Sequence, residues 1–106
     1  MNFIFRNITA GNHEQIQQVF NAGLFPPIIE ILTTAEYDVK KEAGWVLANA
    51  VVGGTREQVT LLIEMGMLPP MVELFSSPDT RMQHLAIETV LNVIRQYENH
   101  EEWFDL

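Results

Sequence analysis

The 106-residue sequence contains no cysteine. That excludes disulfide bonds, thiolate metal ligands and a cysteine nucleophile, and it leaves the redox compartment undetermined. Positive charge is scarce: 6 Lys and Arg stand against 14 Asp and Glu, for a net charge of −8. A phosphate backbone repels such a chain, so nucleic acid is not an expected partner and a basic one is. The apolar runs are short and interrupted by Pro or Gly, so no membrane span is expected. Residues 1–6 show neither a basic leader nor a long apolar stretch, so no secretory signal is expected, and cytoplasm or nucleus follows. What the chain does have is apolar residues, at 47%, enough for a buried core. Charged residues stand at 19%, below the roughly 25% of soluble domains, which excludes a disordered polyelectrolyte. The length suits one domain or a piece of a repeat array.

A repeat is the main feature. Gly11-Asn12-His13-Glu14-Gln15-Ile16 opens a segment running to Gly23-Leu24-Phe25-Pro26-Pro27-Ile28-Ile29-Glu30-Ile31-Leu32. Gly54-Thr55-Arg56-Glu57-Gln58-Val59 opens its counterpart, running to Gly66-Met67-Leu68-Pro69-Pro70-Met71-Val72-Glu73-Leu74-Phe75. Glu14 and Glu57, Gly23 and Gly66, Pro26 and Pro69, Ala43 and Ala86, and Asn49 and Asn92 are each 43 residues apart. A period near 42 belongs to helical arrays of the armadillo or HEAT kind. Propeller blades share it, but no segment alternates as strands would.

The punctuation is helical. Asn12-x-x-Gln15 and Thr55-x-x-Gln58 have the form of capping boxes. Gly23 and Gly66 stand where a first helix would end in a left-handed residue. Pro26 and Pro69 fit the first turn of a second helix, whose dense apolar residues (Ile28, Ile29, Ile31, Leu32; Met71, Val72, Leu74, Phe75) predict burial on most sides. A longer third helix is predicted over 37–52 and again over 79–97. Its apolar stripe is Val39, Ala43, Val46, Leu47 and Ala50 in the first copy, and Met82, Leu85, Ala86, Thr89, Val90 and Val93 in the second. Three unequal helices per unit favour armadillo over HEAT. The expected fold is therefore all-α, an armadillo-repeat solenoid fragment over 1–106. It divides into the end of a preceding repeat at 1–10, repeats at 11–52 and 53–97, and a tail or start of a further repeat at 98–106.

At this point the residues resemble a family. Asn7-Ile8-Thr9-Ala10-Gly11-Asn12-x-x-Gln15-Ile16-Gln17 resembles the signature S-N-I-T-A-G-N-x-x-Q-I-Q of the importin-α (karyopherin-α) family. Lys41-Glu42-Ala43-Gly44-Trp45-Val46-Leu47-Ala48-Asn49, followed by Gly53-Gly54-Thr55-x-Glu57-Gln58-Val59, resembles its K-E-A-x-W-x-x-x-N and G-G-T-x-E-Q-I. The resemblance covers nearly all of 1–95, and the order of the motifs looks like repeats seven to nine. It implies a right-handed superhelical solenoid and a nuclear import adaptor that holds basic nuclear localisation signals, here in the minor-site region. It also implies that the basic N-terminal segment recruiting importin-β is absent from this chain.

The chemistry of such a groove can be argued from residue types. Armadillo arrays set their third helices side by side along a concave face. Trp45 and Asn49, four apart, share one helix face, while Leu47 and Ala50 serve the core. An exposed Asn offers a carbonyl and an amide together and can clamp an extended main chain. An indole face attracts Lys or Arg, worth ~0.5–2 kcal/mol, and Glu42, three residues earlier, can pair with the cation. Neighbouring third helices ~10 Å apart match about three residues of extended peptide. The expected peptide-binding set is therefore Trp45, Asn49, Glu42, Asn7 and Asn92. The position before Asn7 is Phe3, a weaker cation–π surface, and the position before Asn92 is Glu88, which attracts a cation without stacking. With one full W-x-x-x-N, weak binding of isolated basic peptides is expected.

Blander roles are open to the same residues: the Asn side chains as structural bridges between helices, Glu42 as a solvated charge, Lys40-Lys41 as a solvated patch. His13, His84 and His100 have no metal-ligand spacing, and no base stands beside a nucleophile, so no metal, no cofactor and no enzyme activity are expected. Solenoid units cannot bury both faces alone. Phe3, Ile4, Phe5 and Ile8 towards one end, and Val90, Leu91, Ile94, Trp103 and Phe104 towards the other, predict apolar patches and homo-oligomers formed through them. A self-associating structural module without peptide affinity is the alternative reading.

Overall fold

Glycine and proline punctuate the chain as expected, and the reasons are local. The structure is a computed structural model and describes residues 13–98. Helix α1 (His13–Asn21) is followed by α2 (Phe25–Thr34) and α3 (Tyr37–Gly53). The second set is α4 (Arg56–Glu64), α5 (Leu68–Glu73), a 3₁₀ turn (Leu74–Ser76) and α6 (Thr80–Glu98). Among the described residues all regular structure is helical. The expectations placed on Phe3 and Asn7, on the cap Asn12, and on the acidic and aromatic segment beyond Glu98 lie outside the described residues.

Gly23 (φ +69°) and Gly66 (φ +93°) are left-handed, a conformation that costs a glycine nothing. Each closes a Schellman turn: the N–H of Gly23 bonds Phe20 O and that of Leu24 bonds Val19 O, and Gly66 and Met67 repeat this on Ile63 O and Leu62 O. The prolines then fill the first turn of α2 and α5, where an absent N–H is no loss. Thr55 and Gln58 form a complete capping box on α4. Asp79 caps α6, its carboxylate accepting the Arg81 N–H at 2.9 Å.

One apolar cluster runs through all six helices, with Ile16, Phe25, Leu32, Leu47, Val51, Val59, Leu62, Met71 and Met82 fully enclosed. Thr89 is buried on α6, and its hydroxyl donates to Leu85 O at 2.6 Å. Two expectations are corrected. Val39 does not join the stripe of α3; it is 42% exposed, because cover begins only a turn later, at Ala43. The second helix is not buried on most sides in the second unit. There Val72 (45%) and Phe75 (37%) are exposed, because α2 is flanked by α5 while α5 has no such neighbour among the described residues.

The two units are joined along α3 and α6, which lie side by side. Tyr37 donates its hydroxyl to Asp79 Oδ2 at 2.7 Å, and Gln96 Nε2 donates to Val51 O at 3.1 Å. These bonds tie the N-terminal ends together and then the C-terminal ends, so the helices run parallel. Between them the approach is close at Gly44, where a Cβ would lie 3.1 Å from Met82 Cε. A third tie joins α4 to α1: Gln58 Nε2 donates to His13 O (2.9 Å) and Gln17 Oε1 (3.0 Å). Among the described residues no single helix is long and apolar enough to cross a membrane.

Candidate functional site

The face of α3 opposite Leu47 and Ala50 is open. Trp45 is 40% exposed and Asn49, one turn later, is half-buried. Their side chains line a groove of about 430 Å³ between α3 and α6, and its far wall carries Arg81, His84, Glu88 and Asn92. Ala48, Val52, Leu85 and Thr89 make its floor and sides largely apolar. A second hollow of about 220 Å³ adjoins it towards the N-terminal ends of both helices, lined by Lys41, Glu42, Trp45, Asp79, Arg81 and Met82. Trp45 and Arg81 belong to both, so the indole and the guanidinium stand where the two meet.

Of the residues expected to bind a peptide, the groove gathers Trp45, Asn49, Glu88 and Asn92, and the adjoining hollow adds Glu42. Phe3 and Asn7 lie outside the described residues. Asn92 is not wholly open to a ligand: Arg95 Nη1 donates to its Oδ1 at 3.3 Å, which engages the carbonyl. Arg81 and His84 line the groove but lie outside the expected set. Their signal was present, since Arg81 stands seven residues, two helical turns, before Glu88 on one face of α6.

Charge in the smaller hollow is mixed. The hydrogen bond from the Tyr37 hydroxyl, followed by the Arg81 N–H, holds the Asp79 carboxyl below its ordinary value, and that carboxylate is already committed to both donors. Partial burial, then the bond to Asp79, raises Tyr37. Lys41 lies 5.6 Å from the centre of the Tyr37 ring and 3.9 Å from Asp38. An ion pair this long between exposed groups contributes little and leaves the ammonium free to turn. No group of three His, Cys, Asp or Glu converges as a metal site among the described residues.

Residues 12–52 match the family model of the armadillo/beta-catenin-like repeat. No curated protein matches the chain. Solved structures do. A designed armadillo repeat protein is 36% identical, with a TM-score of 0.78 over 84% of this chain. A second, described as a designed armadillo repeat protein in complex with the peptide (KR)4, is 30% identical with a TM-score of 0.75 over 90%. A third, described as computationally designed for modular peptide recognition, is 29% identical with a TM-score of 0.74 over 87%. The chain spans 37%, 44% and 43% of their lengths. Its fold is the armadillo-repeat solenoid.

Proposed function

We propose that this armadillo scaffold binds extended Lys/Arg-rich peptides of the nuclear localisation type in the groove between α3 and α6, and that it acts as part of a nuclear import adaptor moving between cytoplasm and nucleus. The observation that carries the reading is a 40%-exposed indole at Trp45, one turn from an amide at Asn49, in a groove with a carboxylate at Glu88. An indole costs less buried than wet, so its exposure beside a main-chain clamp suits a cation's stem. The similar designed protein described with (KR)4 supports it. So does the resemblance of Lys41-Glu42-Ala43-x-Trp45 to the importin-α motif. The test is a titration with the peptide (Lys-Arg)4 in a Trp103→Phe background, reading Trp45 fluorescence. A saturable change is expected, and Asn49→Ala should weaken it about 5–10-fold, the worth of one or two hydrogen bonds. A flat trace up to about 1 mM peptide removes the reading.

A second reading, self-association, is favoured by a separate observation. Val72, Phe75, Ile87, Leu91 and Ile94 are exposed. Val72, Phe75, Ile87 and Ile94 stand 43 residues after Ile29, Leu32, Gly44 and Val51, which are all buried in the first unit. A second copy stacking there would bury the same kind of surface. Sedimentation should then show a dimer that Leu91→Glu dissociates. A monomer at about 200 µM for both proteins removes the idea.

A further inference from the structure

The side of α3 that faces the groove is apolar where a solvated helix face would be polar. Trp45, Ala48 and Val52 stand at i, i+3 and i+7, one stripe on the wall away from the core. Val52 is 69% exposed and Trp45 40%. Two turns separate them, about 10 Å along the axis. On the α6 side Leu85 and Thr89 continue the lining. The Thr89 hydroxyl donates to Leu85 O within its own helix, so its proton is not offered to a ligand. Charge in the groove is sparse and balanced, although the chain as a whole carries −8. Among the described residues that line it, Glu88 is the one carboxylate and Arg81 the one permanent cation. A single Lys or Arg finds a partner in Glu88, but a run of cations finds no excess of anions. Apolar walls with a few placed polar groups are the usual form of a side-chain pocket.

We infer that the ligand carries one bulky aliphatic side chain, Leu, Ile or Met, within two residues of the Lys or Arg that reaches Glu88. The aliphatic group lies between Trp45 and Val52, against Ala48 and Leu85. A basic stem covers the indole, yet its charged head must stay wet or paired. A branched aliphatic group has no such head and removes more of the wall from water. Val52 is then a specificity-determining residue of the groove. The inference rests on the peptide-binding reading above and adds an apolar anchor to its basic ligand.

The test separates the two. Anisotropy is measured for labelled (Lys-Arg)4 and for two sets of eight variants, each with one position changed to Leu or to Gln. The Gln set controls for the lost charge. Binding is compared for the protein and its Val52→Asn variant, with circular dichroism confirming that both are folded. At one position at least, Leu should bind about 5-fold tighter than Gln and than the parent peptide. In Val52→Asn that advantage should fall below about 2-fold. If (Lys-Arg)4 binds and no Leu peptide exceeds its Gln counterpart, or the gain is the same in Val52→Asn, the aliphatic subsite is overturned while the groove reading stands. If no peptide of any set binds up to about 1 mM, both fall.

Discussion

Leu47→Ala should cost about 3–4 kcal/mol of stability, the usual loss for an enclosed leucine and the cavity it leaves. Leu47 is fully buried on α3 between the two units. A domain of this size has ~5–15 kcal/mol in hand, so the melting temperature should fall by about 15 °C or more. Thermal unfolding followed by circular dichroism at the helix band measures it. Val52→Ala is the control, because Val52 lies five residues on, 69% exposed on the groove side, and should shift stability by less than about 0.5 kcal/mol. Equal losses in the two variants would contradict the assignment of one face of α3 to the core and the other to the groove.

Gln58→Ala comes next in size. This buried amide accepts the Thr55 N–H at 3.0 Å and donates to His13 O and Gln17 Oε1. Removing it strips a cap from α4 and orphans acceptors of the first unit, at a cost of about 2–3 kcal/mol. The cycle with Gln17→Ala isolates the bond between units, and a coupling near 1 kcal/mol is expected from urea unfolding. Strict additivity would mean that the side-chain bond across the units contributes nothing.

Gln58 also marks how far the sequence could be read. Its capping role follows from Thr55-x-x-Gln58 alone, because the box closes within one turn. Its second role, bridging to α1, depends on how the units stack, and nothing local encodes that. The same division holds elsewhere. Gly23, Gly66 and the proline pairs act within a few residues, so they placed the helix ends correctly. Exposure of Val39, Val72 and Phe75 depends on a neighbouring helix, so composition misjudged it. In the groove, the spacing of Trp45 to Asn49 and the 43-residue offset to Glu88 and Asn92 brought four residues together in advance. Arg81 and His84 stand 43 residues after Asp38 and Lys41, outside the Trp and Asn positions of the motif, so the repeat alone does not mark them as groove residues. Continuing the stripe of α6 two turns towards its start would have reached Arg81.

Gly44 sets a dimension larger than its own site. Its bare Cα lets α6 settle against α3, and a methyl there would press on the end of Met82, 3.1 Å away, and only touch Leu85 at 3.6 Å. Where the methionine cannot give way, that pressure tilts the next unit against this one. In a long array the tilts compound, as a thin wedge in one voussoir alters the whole arch. The bend of the solenoid, and with it the contour offered to a strand lying across many units, is therefore set in part by how closely such glycines let the helices approach.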